Sequence, residues 1–308
     1  MKVYHHINEF KSAKNSAITI GTFDGVHSGH QVIINKLIAA AKKINGESIL
    51  LTFFPHPRMV LYPDDTELRL LNTITEKTEM LAKTGIDHLI IHPFSKKFSR
   101  LSSTEFVRNI LANQLNVSTL IIGFDHHFGK NREGSYEQLN ELAPLYDFNV
   151  EEIPAQEIQK INISSTKIRN SLNCGEINAA NQFLGYHYFI KGTVVEGNKM
   201  GREIGFPTAN IKVDEWYKLV PANGVYAVKV NLKGTTYNGM LNIGSRPTIN
   251  GTDVTIEVNI FNFDEDIYNK EIQIEFYERI RNEEKFNHLS DLKTQLQLDK
   301  QHALQILV

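Results

Sequence analysis

The fold is decided by the stretch AITIGTFDGVHSGHQVIINKLIAAAKKI, residues 17–44, in which a mostly apolar run leads through a glycine-rich turn into a helical pattern. A short apolar run such as 17–23 is typical of a parallel strand that is buried on both faces. After the turn, Ile33, Leu37, Ala41 and Ile44 recur at spacings of four, four and three, which gives a helix one apolar stripe. The stretch therefore predicts a strand, a tight turn and an amphipathic helix.

The same alternation continues through the first half of the chain. The segment Ser102-Ser103-Thr104-Glu105 has the spacing of a capping box and precedes a second helical pattern at 106–115. Alternating strands and helices predict an α/β domain with a doubly wound parallel sheet, whose ligand lies beyond the carboxyl ends of the strands. Its further strands are expected at 48–54, 86–91, 117–122 and 148–153.

The second half has a different pattern. Short alternating runs rich in β-branched residues are separated by Gly, Asn and Pro, which predicts a small antiparallel β-barrel. From about Asn282 the pattern is helical again, so a C-terminal helix is expected. A boundary near Gly185 divides the chain into domains at 1–184 and 185–308. The barrel runs are 189–195, 224–232, 236–243, 254–261 and 271–276, and the helical positions of the tail are Phe286, Leu289, Leu292 and Leu296.

Composition narrows the class of protein. A chain of 308 residues suits two domains, and 33 Lys and Arg against 35 Asp and Glu leave a net charge of −2, so no nucleic-acid partner is expected. Cys174 is the only cysteine, which excludes an internal disulfide and a cysteine-rich zinc site. We find neither a signal-peptide pattern nor an apolar run of the roughly 20 residues that a membrane helix needs. We expect a cytoplasmic protein without a membrane partner, monomeric or weakly oligomeric.

The first motif with chemical meaning is GTFDGVHSGH, residues 21–30. Its glycines allow a tight turn, and the following helix directs free N–H groups and the positive end of its dipole at a bound ligand, which favours phosphate. Two histidines three residues apart, His27 and His30, can donate hydrogen bonds to phosphate oxygens during a transfer reaction. The motif alone leaves open a loop with two ordinary surface histidines.

Further segments give this motif a family context. HSGH resembles the nucleotidyltransferase superfamily, and FPHP at 54–57, GFDHHFG at 123–129 and ISSTKIR at 163–169 resemble the bacterial bifunctional riboflavin kinase/FAD synthetase family. This resemblance implies that His27, His30 and Arg169 are catalytic in adenylyl transfer. It implies ATP binding by Gly21, Phe23, Asp24, His27, Gly29, His30, Ser164, Ser165, Thr166 and Arg169, and flavin binding by Pro55, His56, Pro57, Asp125 and Phe128.

One position departs from the family pattern. The flavin-contacting loop of the family usually has an aromatic residue where His126 stands. An imidazole can still stack on a flavin, but a metal site at His126 and His127 is the rival interpretation. Neighbouring residues on a strand point to opposite faces, which disfavours joint metal ligation.

The second motif is GNKMGREIGFPTAN, residues 197–210. Taken singly, such glycines usually mark β-turns, but the whole string resembles the riboflavin kinase signature. The resemblance implies that Thr208 and Asn210 support Mg²⁺, for which a hydroxyl and a carboxamide oxygen are suitable hard ligands. It implies ATP binding by Gly197, Gly201, Arg202, Gly205, Pro207, Thr208 and Asn210.

A catalytic base for the kinase reaction is expected on a later strand. IEVNIFNF, residues 256–263, resembles the family pattern V-E-x-H-x-x-D-F, so Glu257 matches the base that takes a proton from the acceptor hydroxyl. Asn259 and Asn262 replace the usual histidine and aspartate. Without the family match, Glu257 reads as a solvent-facing residue of an alternating strand. Glu257 and Arg281 are the implied flavin contacts of this second site.

The family resemblance covers about 17–299 and implies two reactions. Riboflavin is phosphorylated by ATP to FMN, and FMN is then adenylylated by ATP to FAD, with Mg²⁺ as the cofactor. The absence of a G-x-x-x-x-G-K-[ST] string excludes a P-loop kinase. Three alternatives stay open: an FAD synthetase with a weakened kinase module, an adenylyltransferase for another phosphorylated acceptor, and a non-catalytic flavin sensor.

Overall fold

The computed structural model describes residues 1–11, 13–65, 67–124, 127–154, 163–197, 201, 204–248 and 251–308. These residues form two compact units, Met1–Ser165 and Thr166–Val308. No helix in the described part of the chain is both long and apolar enough to cross a bilayer.

The first unit is built on a six-stranded sheet in the order β1-β4-β3-β2-β5-β6, and every neighbouring pair is parallel. This confirms the predicted doubly wound sheet. The strands are β1 Lys2–Tyr4, β2 Ser16–Ile20, β3 Glu47–Phe54, β4 His88–Pro93, β5 Thr119–Gly123 and β6 Asn149–Ile153.

Residues along each central strand alternate between two apolar cores. Ile18 belongs to one core and Ala17 to the other, and Leu51 and Leu50 divide in the same way. Since successive side chains of a strand point to opposite faces, the sheet is covered by packed side chains on both sides. This is why the strands appear in the sequence as continuous apolar runs.

The helices of the first unit connect its strands. The predicted capping box is present, with Ser102 and Glu105 bonding each other's backbone N–H at the start of α4. The helix continues as a π-helix over Val107–Gln114. The α-helices are α1 Ser28–Lys43, α2 Pro57–Leu61, α3 Ile74–Ala82, α4 Ser103–Phe106 and α5 Tyr136–Leu142, and 3-10 turns occur at Ile7–Glu9, Phe98–Arg100, Lys130–Arg132 and Ala143–Tyr146.

The second unit contains a closed antiparallel barrel in the order β10-β11-β8-β7-β12-β9, which confirms the predicted architecture. The strand β8 was not predicted, because it has only four residues and begins within the glycine-rich motif. The strands are β7 Phe189–Val195, β8 Ala209–Lys212, β9 Gly224–Leu232, β10 Thr235–Thr248, β11 Gly251–Ile260 and β12 Glu271–Arg281.

Among the described residues, three helices accompany the barrel: α6 Ser165–Cys174, α7 Ile177–Leu184 and α8 Leu289–Ile306. The predicted C-terminal helix is therefore present, but it begins at Leu289 rather than near Asn282. Because β12 extends to Arg281, the residues between strand and helix form a connection that contains Phe286.

The two compact units meet between Ser165 and Thr166, earlier in the chain than the expected domain boundary at 184/185. Helix α7 belongs to the second unit because its Asn181 bonds both Phe276 O, at 2.9 Å, and Tyr188 N, at 2.7 Å. Helix α6 is joined to the same unit by the hydrogen bond from Ala222 N to Leu172 O.

Candidate active sites

The turn at 21–27 follows the carboxyl end of β2 and has an unusual backbone. Phe23 and Val26 have φ values of 46° and 37°, a region that few residues other than glycine occupy. Each such residue costs about 1–3 kcal/mol and persists only where its surroundings fix it. One fixing contact is the buried Asp24, whose Oδ1 accepts the N–H groups of Leu71 at 2.9 Å and Asn72 at 3.4 Å.

The two histidines of the motif stack on each other. The rings of His27 and His30 lie 3.6 Å apart at an interplanar angle of 15°. His27 is the N-cap of α1, and its Nδ1 accepts the N–H of His30 at 3.3 Å. Because Nδ1 accepts, the neutral ring carries its proton on Nε2.

His30 has a shifted protonation equilibrium. Burial, followed by the positive charges of His27 and Lys77, lowers the pKa of His30 well below its usual value. The imidazole is therefore neutral at physiological pH and can donate only one hydrogen bond. Its Nδ1 is buried, with no hydrogen-bond partner in the described part of the chain.

The glycines of this motif give room to neighbouring rings. A Cβ at Gly21 would lie 2.9 Å from the Phe23 ring, and one at Gly29 would lie 3.2 Å from the His27 ring. Larger residues at either position would displace the rings that shape the turn.

The ISST segment meets this turn through one serine. Ser165 Oγ donates to the main-chain O of Asp24 at 2.9 Å, which brings the end of the first unit to the HSGH turn. Ser164 is exposed at the same end. Thr166 and Arg169 belong to the second unit, where Arg169 Nη2 donates to Thr166 Oγ1 at 3.2 Å.

The expected flavin contacts of the first unit have mixed environments. The segment of Pro55, His56 and Pro57 follows β3, and His56 caps α2 by accepting the N–H of Arg58 at 3.2 Å. Asp125 and His126 lie outside the described residues. The described residues contain no group of three or more His, Cys, Asp or Glu side chains placed to hold a metal ion.

Phe128 is a core residue. Its side chain is 8% exposed and its ring lies 5.7 Å from that of Phe106, so little of it remains for a ligand. Phe124, at 37% exposure, has the more accessible of the two phenylalanine rings. The sequence does not distinguish the two phenylalanines, since both flank the same turn.

The second unit contains a cavity of about 330 Å³. Part of its wall is apolar and comes from the barrel, the connection to α8 and α8 itself: Phe206, Met240, Phe286, Leu289, Leu292 and Leu296. The polar part of the wall includes Thr208, Asn210, Asn242, Glu257, Asn259 and Glu283. A flat apolar molecule with a polar tail would match both parts of this wall.

Asn210 and Glu257 are direct cross-strand partners of β8 and β11. Residues opposite each other in an antiparallel pair place their side chains on the same face, and both of these side chains line the cavity. Thr208, two residues before Asn210, lines it as well. The three residue types assigned to magnesium and to proton removal are therefore brought together.

Asn259 holds the loop that carries Thr208. It lies two residues after Glu257 on β11, is buried, and donates from Nδ2 to Pro207 O at 2.6 Å. The substitution of the family's histidine thus leaves a donor at this position. Asn262, after the strand, has a φ of 55°, a left-handed conformation that asparagine tolerates well.

The glycines of the second motif allow close packing around Asn210. A Cβ at Gly197 would collide with the Asn210 carboxamide, and one at Gly201 would collide with Phe206 O. Gly205 has a φ of 85°. Arg202 lies outside the described residues. A second cavity, of about 390 Å³, is lined by Gly197 and Asn210, so Asn210 borders both cavities.

Arg281 lines the first cavity while its guanidinium is held by an acidic partner. Its Nε and Nη2 donate to the Asp299 carboxylate at 2.7–3.1 Å, and Gln295 Nε2 donates to Asp299 Oδ1 at 2.9 Å. Asp299, on α8, is 1% exposed. The pair ties α8 to the end of β12, a contact between residues 18 apart that the sequence pattern does not indicate.

Comparison with known proteins agrees with two enzymatic units. The family model for FAD synthetase matches residues 9–167, and that for riboflavin kinase matches residues 184–307.

The chain is similar to curated bifunctional riboflavin kinase/FMN adenylyltransferases. It is 41% identical to the protein from Listeria monocytogenes, with 93% of this chain and 91% of the relative covered. Identity to the Bacillus subtilis protein is 39%, with 97% and 95% covered. A Streptococcus pneumoniae crystal structure named as a macrolide-efflux protein superposes with a TM-score of 0.89 at 31% identity, covering 97% of both chains.

Proposed function

Because the chain belongs to the bifunctional riboflavin kinase/FMN adenylyltransferase family, we propose that it converts riboflavin to FMN and FMN to FAD, each with ATP. The observation that carries the proposal is that Glu257 lies opposite Asn210 and that both line a cavity with a largely apolar wall. We assign riboflavin phosphorylation to the second unit and adenylyl transfer to the first. The expected domain boundary at 184/185 stays part of this proposal.

In the kinase step, the terminal hydroxyl of the ribityl chain attacks the γ-phosphorus of ATP and ADP leaves. Glu257 accepts the hydroxyl proton as the new O–P bond forms. The apolar side chains that line the first cavity, among them Phe206 and Leu296, suit the isoalloxazine ring. The second cavity, which Asn210 also lines, suits the nucleotide, so that the γ-phosphate meets the hydroxyl near Asn210.

The residues at this point fit a magnesium ion. The Thr208 hydroxyl and the Asn210 carboxamide supply neutral oxygens beside the Glu257 carboxylate, the donor set that Mg²⁺ prefers, and the glycine at 197 leaves the carboxamide room. Bound Mg²⁺ would neutralise charge on the phosphate oxygens. Asn210 and Thr208 would hold the ion, and Asn259 would hold the loop of Thr208 in place.

In the adenylyl step, an FMN phosphate oxygen attacks the α-phosphorus of ATP and pyrophosphate leaves, so no protein nucleophile is needed. The His27 Nε2–H group and neutral His30 donate hydrogen bonds to phosphate oxygens, where charge grows during transfer. Ser165 fixes the turn from the ISST side. For Arg169, whose permanent charge suits a polyphosphate, a role in adenylyl transfer is proposed from the family resemblance alone.

The rival functions receive less support. An FAD synthetase with a weakened kinase would have lost part of the second site, yet Thr208, Asn210 and Glu257 line one cavity and Asn259 still makes a supporting hydrogen bond. A flavin sensor needs no residue for proton removal. We also propose a cytoplasmic location, where ATP is supplied, and a monomeric or weakly associating chain without a nucleic-acid partner.

The test is a time course with riboflavin, ATP and Mg²⁺ and the purified chain, with the flavins separated by chromatography. We expect FMN to rise first and FAD to follow. FAD formation from added FMN without FMN formation from riboflavin would favour the weakened-kinase alternative. Binding of flavin with no product would favour the sensor.

A further inference from the structure

A buried lysine lies beneath the HSGH turn. Lys77 is on α3, is 3% exposed, and donates from Nζ to the main-chain O of Thr22 at 2.7 Å. Lysine is rarely buried this fully, because taking an ammonium out of water costs several kcal/mol. Burial lowers the pKa of Lys77, and the nearby Asp24 carboxylate opposes that shift.

Lys77 is one of several groups whose hydrogen bonds fix the strained turn. Thr22 O accepts a second hydrogen bond, from Thr52 Oγ1 at 3.2 Å, so both lone pairs of this carbonyl are used. The side chain of Asp24, two residues later, is held by the N–H groups of Leu71 and Asn72, just before α3. Residues 71–77 therefore hold the turn by hydrogen bonds at Thr22 and at Asp24, on either side of Phe23.

A stability role alone does not explain a charged group at this position. Replacing a buried ion together with its partner by well-packed apolar side chains is often neutral or stabilising, so packing alone does not require a charge here. Lys77 occupies the apolar face of α3, three residues after Ile74 and four before Leu81, where a Leu or Met would pack against the same core. The charge also acts on the site, since Lys77 contributes to the lowered pKa of His30.

We propose that Lys77 is a positioning residue for adenylyl transfer, which holds the Thr22 carbonyl and thereby the Phe23–Val26 conformation that presents His27 and His30 to the phosphates of ATP. This inference rests on the proposed adenylyltransferase function. It adds to that function a residue outside the HSGH and ISST motifs, on a helix with no expected ligand contact.

The test compares Lys77→Met with wild type and with Lys83→Met, an exposed lysine of the same region. In the full chain with FMN, ATP and Mg²⁺, we expect Lys77→Met to lower kcat for FAD formation about 100-fold, the size of effect that a misplaced group of about 1 Å produces. We expect the urea unfolding midpoint to fall, because the buried Asp24 carboxylate loses a nearby positive charge and Thr22 O loses a donor. We expect KM for FMN and riboflavin phosphorylation to stay unchanged. Lys83→Met should match wild type in every measurement.

Two further variants test the mechanism. Lys77→Gln retains an N–H donor and should recover part of the lost kcat, which lost packing alone would not predict. Thr52→Val removes the second donor to Thr22 O. Its effect should not add to that of Lys77→Met, since both act through one carbonyl.

The proposal is overturned if Lys77→Met makes FAD at the wild-type rate, or if FAD formation, kinase activity and folded fraction fall together. If Lys77→Met is unfolded, Lys77→Gln decides: a folded variant with reduced kcat supports the proposal, and an unfolded one shows that Lys77 serves folding. A wild-type chain that makes no FAD contradicts the adenylyltransferase function itself, which separates the two failures.

Discussion

Glu257 and Asn259 are two residues apart on β11, and their side chains therefore point to the same face of the barrel wall. Glu257 faces Asn210 across the strands, while Asn259 reaches back to the Pro207 carbonyl. One side chain is thus placed for chemistry and the other for holding the loop with Thr208. The two roles predict different kinetic effects.

Glu257→Gln should remove proton transfer and leave the cavity shape intact. We expect kcat for riboflavin phosphorylation to fall by about 10²–10⁴-fold, the usual contribution of a general base. FMN formation from riboflavin and ATP measures it. The control is Glu265→Gln, an exposed glutamate of the loop before β12, which should leave the rate unchanged.

Asn259→Ala should act through the loop of Thr208. A lost hydrogen bond of about 0.5–1.5 kcal/mol corresponds to a roughly 2- to 12-fold loss of kcat/KM in the kinase assay. Asn259→His, which restores the residue usual in the family, should be less harmful. An alanine variant with wild-type kcat/KM at limiting ATP and Mg²⁺ would show that the Pro207 contact has no part in the site.

At the scale of elements, the sequence predicts a helix or strand well where the pattern that signals it is complete within a few neighbouring residues. The strand predicted at 48–54 is β3 Glu47–Phe54, and the capping box before 106–115 is present, because both patterns are complete within a few residues. The short strands β1 and β8 have too few residues to show a period. Their existence depends on pairing with β4 and with β7 and β11, which are distant in the sequence.

The sites were predictable to a similar extent. Thr208, Asn210 and Glu257, each singled out by a local string, line one cavity, and their roles stay predictions. The motifs could not show that Phe128 is a core residue or that Arg281 pairs with Asp299, because both depend on packing between elements. Lys77 did leave a signal, a charged residue within the apolar stripe of α3.

Strand β4 should make the stability of the first unit depend on pH. Burial, followed by the positive charge of His6, lowers the pKa of His92 to about 4. In the unfolded chain His92 has a pKa near 6.5, so as the pH falls it binds a proton before the folded chain does. The free energy of unfolding is therefore not affected by His92 above about pH 6.5 and decreases as the pH falls towards 4. We expect a loss of roughly 1–2 kcal/mol between pH 7 and pH 5.

The measurement is urea unfolding of wild type and His92→Phe at both pH values. The variant cannot bind the proton, so its loss between pH 7 and pH 5 should be smaller. Equal losses in the two proteins would show that His92 does not contribute to the pH dependence.

Helix α8 should depend on the Arg281–Asp299 pair. Asp299→Asn leaves the Arg281 guanidinium largely buried without its counter-charge, a change that costs about 3–5 kcal/mol. We expect a lower unfolding temperature and a higher KM for riboflavin, since Leu292 and Leu296 of this helix line the cavity. Asp291→Asn, exposed on the same helix, is the control. Unchanged stability and KM in Asp299→Asn would contradict this role of the pair.

At the scale of the whole molecule, each unit has its own core and its own motif. In the first unit, two apolar cores cover the two faces of the parallel sheet, and this unit carries the HSGH turn. The second unit has a core of its own, and its barrel carries the cavity with Glu257. The FAD synthetase and riboflavin kinase family models match these two parts separately. The central claim is therefore that one chain carries two separate sites for successive reactions.

The most direct test of this claim is one flavin time course run on wild type, Glu257→Gln and His30→Ala, all shown to be folded by circular dichroism. From riboflavin, wild type should form FMN and then FAD, and His30→Ala should accumulate FMN. Glu257→Gln should form FMN from riboflavin at least about 100-fold more slowly but should convert added FMN to FAD. If either folded variant lost both activities, the assignment of two separate sites would be contradicted.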